Sequence, residues 1–169
     1  MKLSARKYLD EALFVDIPEG CYAIHDPLNE GEISYWRRKD LGKNEVPDVN
    51  PWPLQTRTYG PRLYKSDPRL RGLSREEKKA FIRSWYLENV GGYLKAVVTT
   101  IAADPVAAGK RFAEWQLRCC LCSKKLTTKE SKVIGIGPDC REGLPKEFVD
   151  NFFPDQVGSV HAKYLAGSS

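Results

Sequence analysis

Four of the chain's five cysteines fall between Cys119 and Cys140, and no other feature restricts the fold so strongly. Cys119 and Cys122 stand in C-x2-C spacing, which lets one tight turn present two thiolates to a single ion. A second turn, Gly135-Ile136-Gly137-Pro138-Asp139-Cys140, brings back a third thiol from the far end of a loop. Structural zinc binds sulfur at about 2.3 Å in a tetrahedron of four ligands. Cys119, Cys122 and Cys140 supply three. The fourth place stays open among Cys120, Asp139, His161, His25, Cys21 and a water, although Cys120 adjoins the turn and would strain it. Cys21 has apolar strand neighbours and reads as a core thiol. The competing reading is free thiols or a redox pair. Dithiol oxidoreductases, however, set C-x2-C at a helix start after a strand, and here the pair follows a helix. Lys124 and Lys125 lie beside the pair, where positive charge lowers thiol pKa and offsets thiolate charge.

A chain of 169 residues makes one domain, or one domain with a small metal-stapled lobe. Its 41% hydrophobic and 11% aromatic content excludes wholesale disorder. No run of about 18 apolar residues is present, so no membrane span is expected. The first residues carry acids where a signal peptide needs its apolar stretch. We therefore expect a cytoplasmic protein, in which thiols stay reduced and C-x2-C means metal or redox chemistry.

The net charge of +5 is unevenly spread: −3 over residues 1–56, +6 over 57–84 and +5 over 110–132. Two basic segments after an acidic one suggest an anionic partner, against the plainer reading of two solvated surfaces. In the first basic segment Arg57, Arg62, Lys65, Arg69 and Arg71 are interleaved with Tyr59 and Tyr64, a pattern that suits phosphates and unpaired bases. Arg75, Lys78, Lys79 and Arg83 read as a solvated helix face.

The pattern predicts a short helix from a Ser4 cap through Leu13. Strands follow at Cys21–Ile24 and Ile33–Arg37, with edge strands at Leu54–Tyr59 and Leu63–Lys65, while 39–53 reads as loop. Ser74-Arg75-Glu76-Glu77 is a capping box opening a helix that buries Phe81, Ile82, Trp85 and Tyr86. Gly91-Gly92 is expected to break it before a second helix over Tyr93–Ala103. Asp104-Pro105 starts a third, running to about Leu117 and burying Val106, Phe112 and Trp115. Trp36 and Trp85 also read as core, whereas Trp52, between two prolines, is the aromatic expected at the surface. Pro145 opens a last short helix with Phe148, Val149 and Phe152. No Walker loop, H-E-x-x-H, G-x-S-x-G or carboxylate pair is present, so an enzyme is unsupported.

The run Cys119-x2-Cys122-x3-Leu126-Thr127, Ser131, then Gly135-Ile136-Gly137-Pro138-x-Cys140 resembles a short zinc-finger-like domain of unknown function found in many actinobacterial and bacteriophage proteins. That domain typically reads C-x-x-C-G-R-x-L-T-D-P-x-S, then G-x-G-P-x-C. Asp104-Pro105 with Ala107-Ala108-Gly109 is similar to the helix that leads into it. The resemblance implies that Cys119, Cys122 and Cys140 ligate the metal and that Leu126 and Ser131 shape the intervening loop. This chain departs at Ser123-Lys124, where Gly-Arg is usual, and at Thr128-Lys129, where Asp-Pro is usual. The implied setting is a phage or mobile-element protein inside a bacterial cell.

The expected fold is α+β: an antiparallel sheet over 20–65 with helices over 74–118 in a core of residues 1–118, a zinc-knuckle lobe with a short helix at 119–154, and a flexible tail at 155–169. The expected function is a non-enzymatic, structurally zinc-bound accessory protein that binds nucleic acid. Lys124, Lys125, Lys129, Lys132, Arg62 and Arg69 are the expected contacts. The alternatives are an interaction protein that inhibits or redirects a host bacterial complex and, weakest, a zinc enzyme with an open coordination position.

Overall fold

The computed structural model of the chain describes residues 3–41, 45–53 and 59–145. The expected helix after Pro145, the tail with His161, Arg57, and all but the end of the expected Leu54–Tyr59 strand lie outside these residues. What is described is α+β, with a three-stranded antiparallel sheet and helices packed on both of its faces.

A one-turn helix, α1 (Ala5–Tyr8), comes first. Ser4 does not cap it through its side chain. Its Oγ instead donates to Asp48 Oδ2 at 2.7 Å, and Asp48 Oδ1 accepts from Arg6 N at 3.0 Å, so a carboxylate 42 residues downstream does the capping. The expected continuation to Leu13 breaks at Leu9, whose backbone is extended. A 3-10 turn (Glu11–Leu13) then starts from Asp10, whose side chain accepts from Ala12 N. A local Asx cap competes with the helix there and wins.

β1 (Gly20–His25), β2 (Ile33–Leu41) and β3 (Val46–Pro51) form the sheet in that order. Cys21 faces Arg37 and Arg37 faces Asn50 across the two ladders. β3 corrects the sequence reading, which gave 39–53 to loop because of its prolines and Asp/Asn content. Pro47 and Pro51 are tolerated because β3 is an edge among the described strands, where a missing N–H breaks no ladder. Leu63–Lys65 is not a strand. The buried Asp26 closes the β1–β2 turn, accepting from the backbone of Leu28 and Asn29 and from Tyr93 Oη at 2.7 Å.

The period-two alternation of the strands divides the interior into two cores. Tyr22, Ile24, Trp36 and Val49 point to one face and pack with Val90, Tyr93, Leu94, Val97, Val98 and Ile101. Cys21 and Ala23, with Ile33 and Tyr35 beside them, point to the other face and pack with Phe112, Ala113 and the cysteine lobe. Each fully buried large apolar side chain contributes about 1.5–3 kcal/mol.

On the first face lie α2 (Arg75–Trp85) and α3 (Gly91–Ala103). The Ser74 capping box forms as expected, with Ser74 Oγ accepting from Glu77 N and Ser74 N donating to Glu77 Oε2. Gly91-Gly92 does not break the helix. Backbone torsions stay right-handed through a π turn (Tyr86–Val90), joining α2 to α3 without a loop. Two glycines cost a helix about 1 kcal/mol each, less than the burial gained by Val90 at the end of the π turn and by Leu94, Val97 and Ile101 of α3, which continue its stripe.

α4 (Pro105–Gln116) lies on the second face, capped by Asp104, which accepts from Ala107 N at 2.9 Å. Its buried stripe is Ala108, Gly109, Phe112 and Ala113. Trp115, expected in the core, stands roughly 100° round the helix from that stripe and is 60% exposed. Trp52 reverses the other expectation. It is half-buried, edge-on to Phe112 with ring centroids 5.0 Å apart.

Candidate metal centre

Leu117 ends α4 in the left-handed region (φ 50°) and turns the chain into a short hairpin whose arms are joined by the Arg118–Lys125 bridge. Inside the hairpin Cys119 N donates to Lys124 O at 2.9 Å, and Ser123 N returns to Cys119 O at 2.8 Å. Cys119 and Cys122 therefore sit at the two ends of one turn. Ser123 takes a left-handed torsion (φ 64°). The motif resembled by this chain has glycine at that position, the residue for which this torsion carries no steric cost.

The loop then folds into α5 (Lys129–Ile134), with Thr128 at the N-cap accepting from Ser131 N at 3.2 Å. Thr128 does what the motif's usual aspartate would do, so the departure at Thr128-Lys129 leaves the cap intact. Gly135 closes α5 at φ 80°, and Ile136 is fully buried. α6 (Pro138–Glu142) starts with proline at its first position and carries Cys140 in its first turn. Leu126 and Ser131, the loop-shaping residues implied by the resemblance, are both buried.

These elements bring the sulfurs of Cys119, Cys122 and Cys140 within 4.8 Å of one another. Three sulfurs on a tetrahedral ion with bonds of about 2.3 Å would lie about 3.8 Å apart, a separation that falls within this bound, so the group is compact enough to close around a metal. The electrostatics fit a cation as well. Burial works to raise the Cys119 thiol, but the N–H groups of Cys122, Gly137 and Leu121 point at its sulfur and hold its pKa below the ordinary thiol value. Cys140 is pushed up to about 12, first by burial, then by its hydrogen bond with Cys122 and the nearness of Cys119. The group thus favours one thiolate and resists the next, a repulsion that a bound dication relieves. A soft, thiolate-rich set of this kind suits a transition metal rather than calcium or magnesium.

Among the described residues no fourth ligand joins the group. Cys120 points into the second core, where burial raises its pKa well above the ordinary value. Cys21 is a core thiol, as expected, pushed up to about 12 chiefly by burial. Asp139 is 78% exposed and pairs with Lys124 at 3.2 Å. His25 is exposed at the end of β1, and His161 lies outside the described residues. Gly137 stands three positions before Cys140, where a second C-x2-C pair would place its first sulfur. A Cβ there would meet only Leu126 Cδ2, at 3.9 Å.

The lobe is fastened to the sheet through backbone. Cys21 N donates to Cys120 O, and Cys120 N donates to Gly135 O at 3.1 Å, so the knuckle extends from the start of β1. A Cβ on Gly20 would come within 2.9 Å of Cys120 O. Glycine is required there by the closeness of the two chains.

The expected nucleic-acid contacts fall in two places. Lys124, Lys125 and Lys129 are exposed on the lobe, and Lys132 is half-buried in the last turn of α5. Arg62 and Arg69 are exposed in the segment before α2. Arg69 is held by Asp67 through two bonds of 2.9 and 2.8 Å and lies 5.5 Å from the Phe81 ring centroid. The sequence reading missed Arg118 and Arg37. Arg118 lies 5.6 Å from the Trp52 ring centroid and donates to Ser123 O. Arg37 lies on the same sheet face as Cys21. The alternation of β2 offered the signal for Arg37, since it sets Ile33, Tyr35, Arg37 and Lys39 on one face.

Residues 109–145 match the model of a family of unknown function, DUF6011. The match runs from within α4 to just past α6 and contains all three clustered cysteines. No curated protein and no solved structure matches the chain. Among the described residues no helix is long and apolar enough to cross a membrane.

Proposed function

We propose that Cys119, Cys122 and Cys140 hold a structural zinc ion in a zinc-finger-like lobe, and that the lobe and the adjoining sheet face bind single-stranded nucleic acid. Zinc suits a thiolate group that needs a redox-silent staple, because the loop between the ligands has few apolar residues of its own. The observation that carries the nucleic-acid reading is the placement of Trp52. One neighbour is the Arg118 guanidinium, anchored in the knuckle. On another side Trp52 lines a cleft with Arg37 and Lys39. A cationic path therefore leads from Lys124 and Lys125 past an aromatic ring to the sheet, the combination that binds unpaired strands without reading sequence. Similarity to domains of actinobacterial and bacteriophage proteins supports a non-enzymatic accessory role for a phage or mobile element in the bacterial cytoplasm.

Titration of the zinc-loaded protein with labelled single-stranded DNA, duplex DNA and RNA at two salt concentrations tests this. Tight, salt-steep binding of single strands, weakened in Lys124→Glu/Lys125→Glu, is expected, as is loss of the folded lobe on chelation. A salt slope near zero refutes the proposal. A second reading, a protein that redirects a host bacterial complex, is favoured by Trp115, an exposed aromatic of the kind that anchors interfaces. Recovery of one nuclease-insensitive partner, lost in Trp115→Ser, would support it.

A further inference from the structure

A cleft of about 460 Å³ opens beside β3, between the start of α1 and the sheet. Its charged side chains are Arg6, Arg37, Lys39 and Asp48, three cations to one carboxylate. Among the described residues none of the three cations makes an ion pair or a side-chain hydrogen bond. The carboxylate is already occupied, accepting from Ser4 Oγ at 2.7 Å, Arg6 N at 3.0 Å and Val49 N at 2.9 Å. It steadies the wall of the cleft and leaves the cations unneutralised.

Two further observations point to a ligand. Asn50 lines the cleft, is only 8% exposed, and its side-chain amide has no hydrogen-bond partner among the described residues. The amide is not among the fully buried polar atoms left without a partner, so it opens to the cleft, where it can both donate to and accept from a bound polar group. Directly across the ladder stands Arg37, so a half-buried guanidinium fork and a free amide are cross-strand neighbours on one rigid sheet. Trp52 forms another part of the wall.

We infer that this cleft binds a nucleoside phosphate, with Arg37 and Lys39 on the phosphate oxygens and Asn50 hydrogen-bonding the same group or the attached base. Arginine suits phosphate because its planar fork matches two oxygens at once. Sheet-borne placement supplies the geometry that loop lysines lack. The phosphate comes from a free nucleotide or from a strand of nucleic acid, and only the second source rests on the function proposed above.

Isothermal titration of the metal-loaded protein with adenosine 5′-monophosphate and, separately, with a 12-residue single-stranded oligonucleotide distinguishes them. The variants are Arg37→Gln, Asn50→Asp and Lys39→Glu. The last is exposed and serves as the folding-neutral member, and circular dichroism and metal content verify each protein. Binding of either probe, weakened about tenfold or more in all three variants, is the expected result. If both probes bind, the cleft serves the strand. If only the mononucleotide binds, the inference stands and the nucleic-acid proposal falls. Oligonucleotide binding that all three variants leave unchanged overturns the inference and returns the binding to the knuckle lysines. Binding of neither probe overturns both.

Discussion

Replacing Ser123 by glycine should make the protein more stable, an uncommon direction for a substitution beside a metal site. Ser123 holds φ at 64°, in the left-handed region, where an L-residue with a Cβ loses about 1–2 kcal/mol. Its backbone is committed to that torsion by the Ser123 N bond to Cys119 O and by the Arg118 bond to Ser123 O. Both bonds involve main-chain atoms of residue 123, so they survive the change. Its hydroxyl makes no hydrogen bond with a described residue. Against the gain stands the greater freedom of glycine in the unfolded chain, about 0.4–1 kcal/mol. The balance is a stabilisation of about 0.5–1 kcal/mol. Urea unfolding of the zinc-loaded protein at fixed free zinc reads this as a raised midpoint with an unchanged slope. Holding free zinc constant is essential, because a change in metal affinity would otherwise enter the stability. The paired control is Gly135→Ala, at φ 80°, which should lose at least 1 kcal/mol by the same reasoning. A Ser123→Gly midpoint at or below that of the parent would refute the strain argument.

Gly20→Ala forces a Cβ to 2.9 Å from Cys120 O and should cost about 1–3 kcal/mol. Hydrogen exchange should quicken at Cys21 N and across the knuckle while α3 stays protected; uniform loss of protection would contradict the local clash. Gly137→Cys should raise the sulfur count around zinc from three to four by X-ray absorption, and an unchanged count would mean that position 137 does not face the ion. Asp67 is held down to about 2, first by its side-chain bond with Arg69. A lowered carboxyl pKa means the bridge stabilises the fold above the ordinary aspartate value and loses that effect as pH falls toward 2. In Arg69→Ala, a carbon-13 titration should move the Asp67 pKa upward but short of the ordinary aspartate value, because the residue 69 N–H still donates to it, and no movement would show that the side-chain pair is not formed in solution.

Much of the lobe could be read from residue types alone because its determinants are local. The C-x2-C spacing and the 135–140 segment each specify their own turn, and the structure brings the three sulfurs together, whereas the Thr128 cap of α5 was read only as a departure from the resembled motif. The α+β class and the caps of α2 and α4 were legible for the same reason: Ser74, Glu77, Asp104 and Pro105 act within one helical turn. β3 was not, because Pro47, Asp48 and Asn50 are poor strand formers and are held only by pairing with β2. The tryptophans were misread through phase. One residue of drift round α4 takes Trp115 out of the core, and Phe112 draws Trp52 in from its proline-flanked loop. Continuity of α2 into α3 depends on long-range burial outweighing two glycines, and a local rule cannot weigh that. The cleft was invisible in sequence because Arg6, Arg37 and Asn50 are distant in the chain and meet only through strand register.

The two cores also differ in when they can form during synthesis. The face built from Tyr22, Ile24, Trp36 and Val49 finds its partners once α3 has left the ribosome, at residue 103. The opposite face, with Cys21, Ala23 and Tyr35, must wait for α4 and then for Cys140, the last of the three clustered cysteines, to emerge. Through that interval a nascent chain carries an uncovered patch of sheet with a free thiol at its centre. Under the zinc reading proposed above, metal supply would then gate completion of the fold, beyond its effect on the finished molecule's stability.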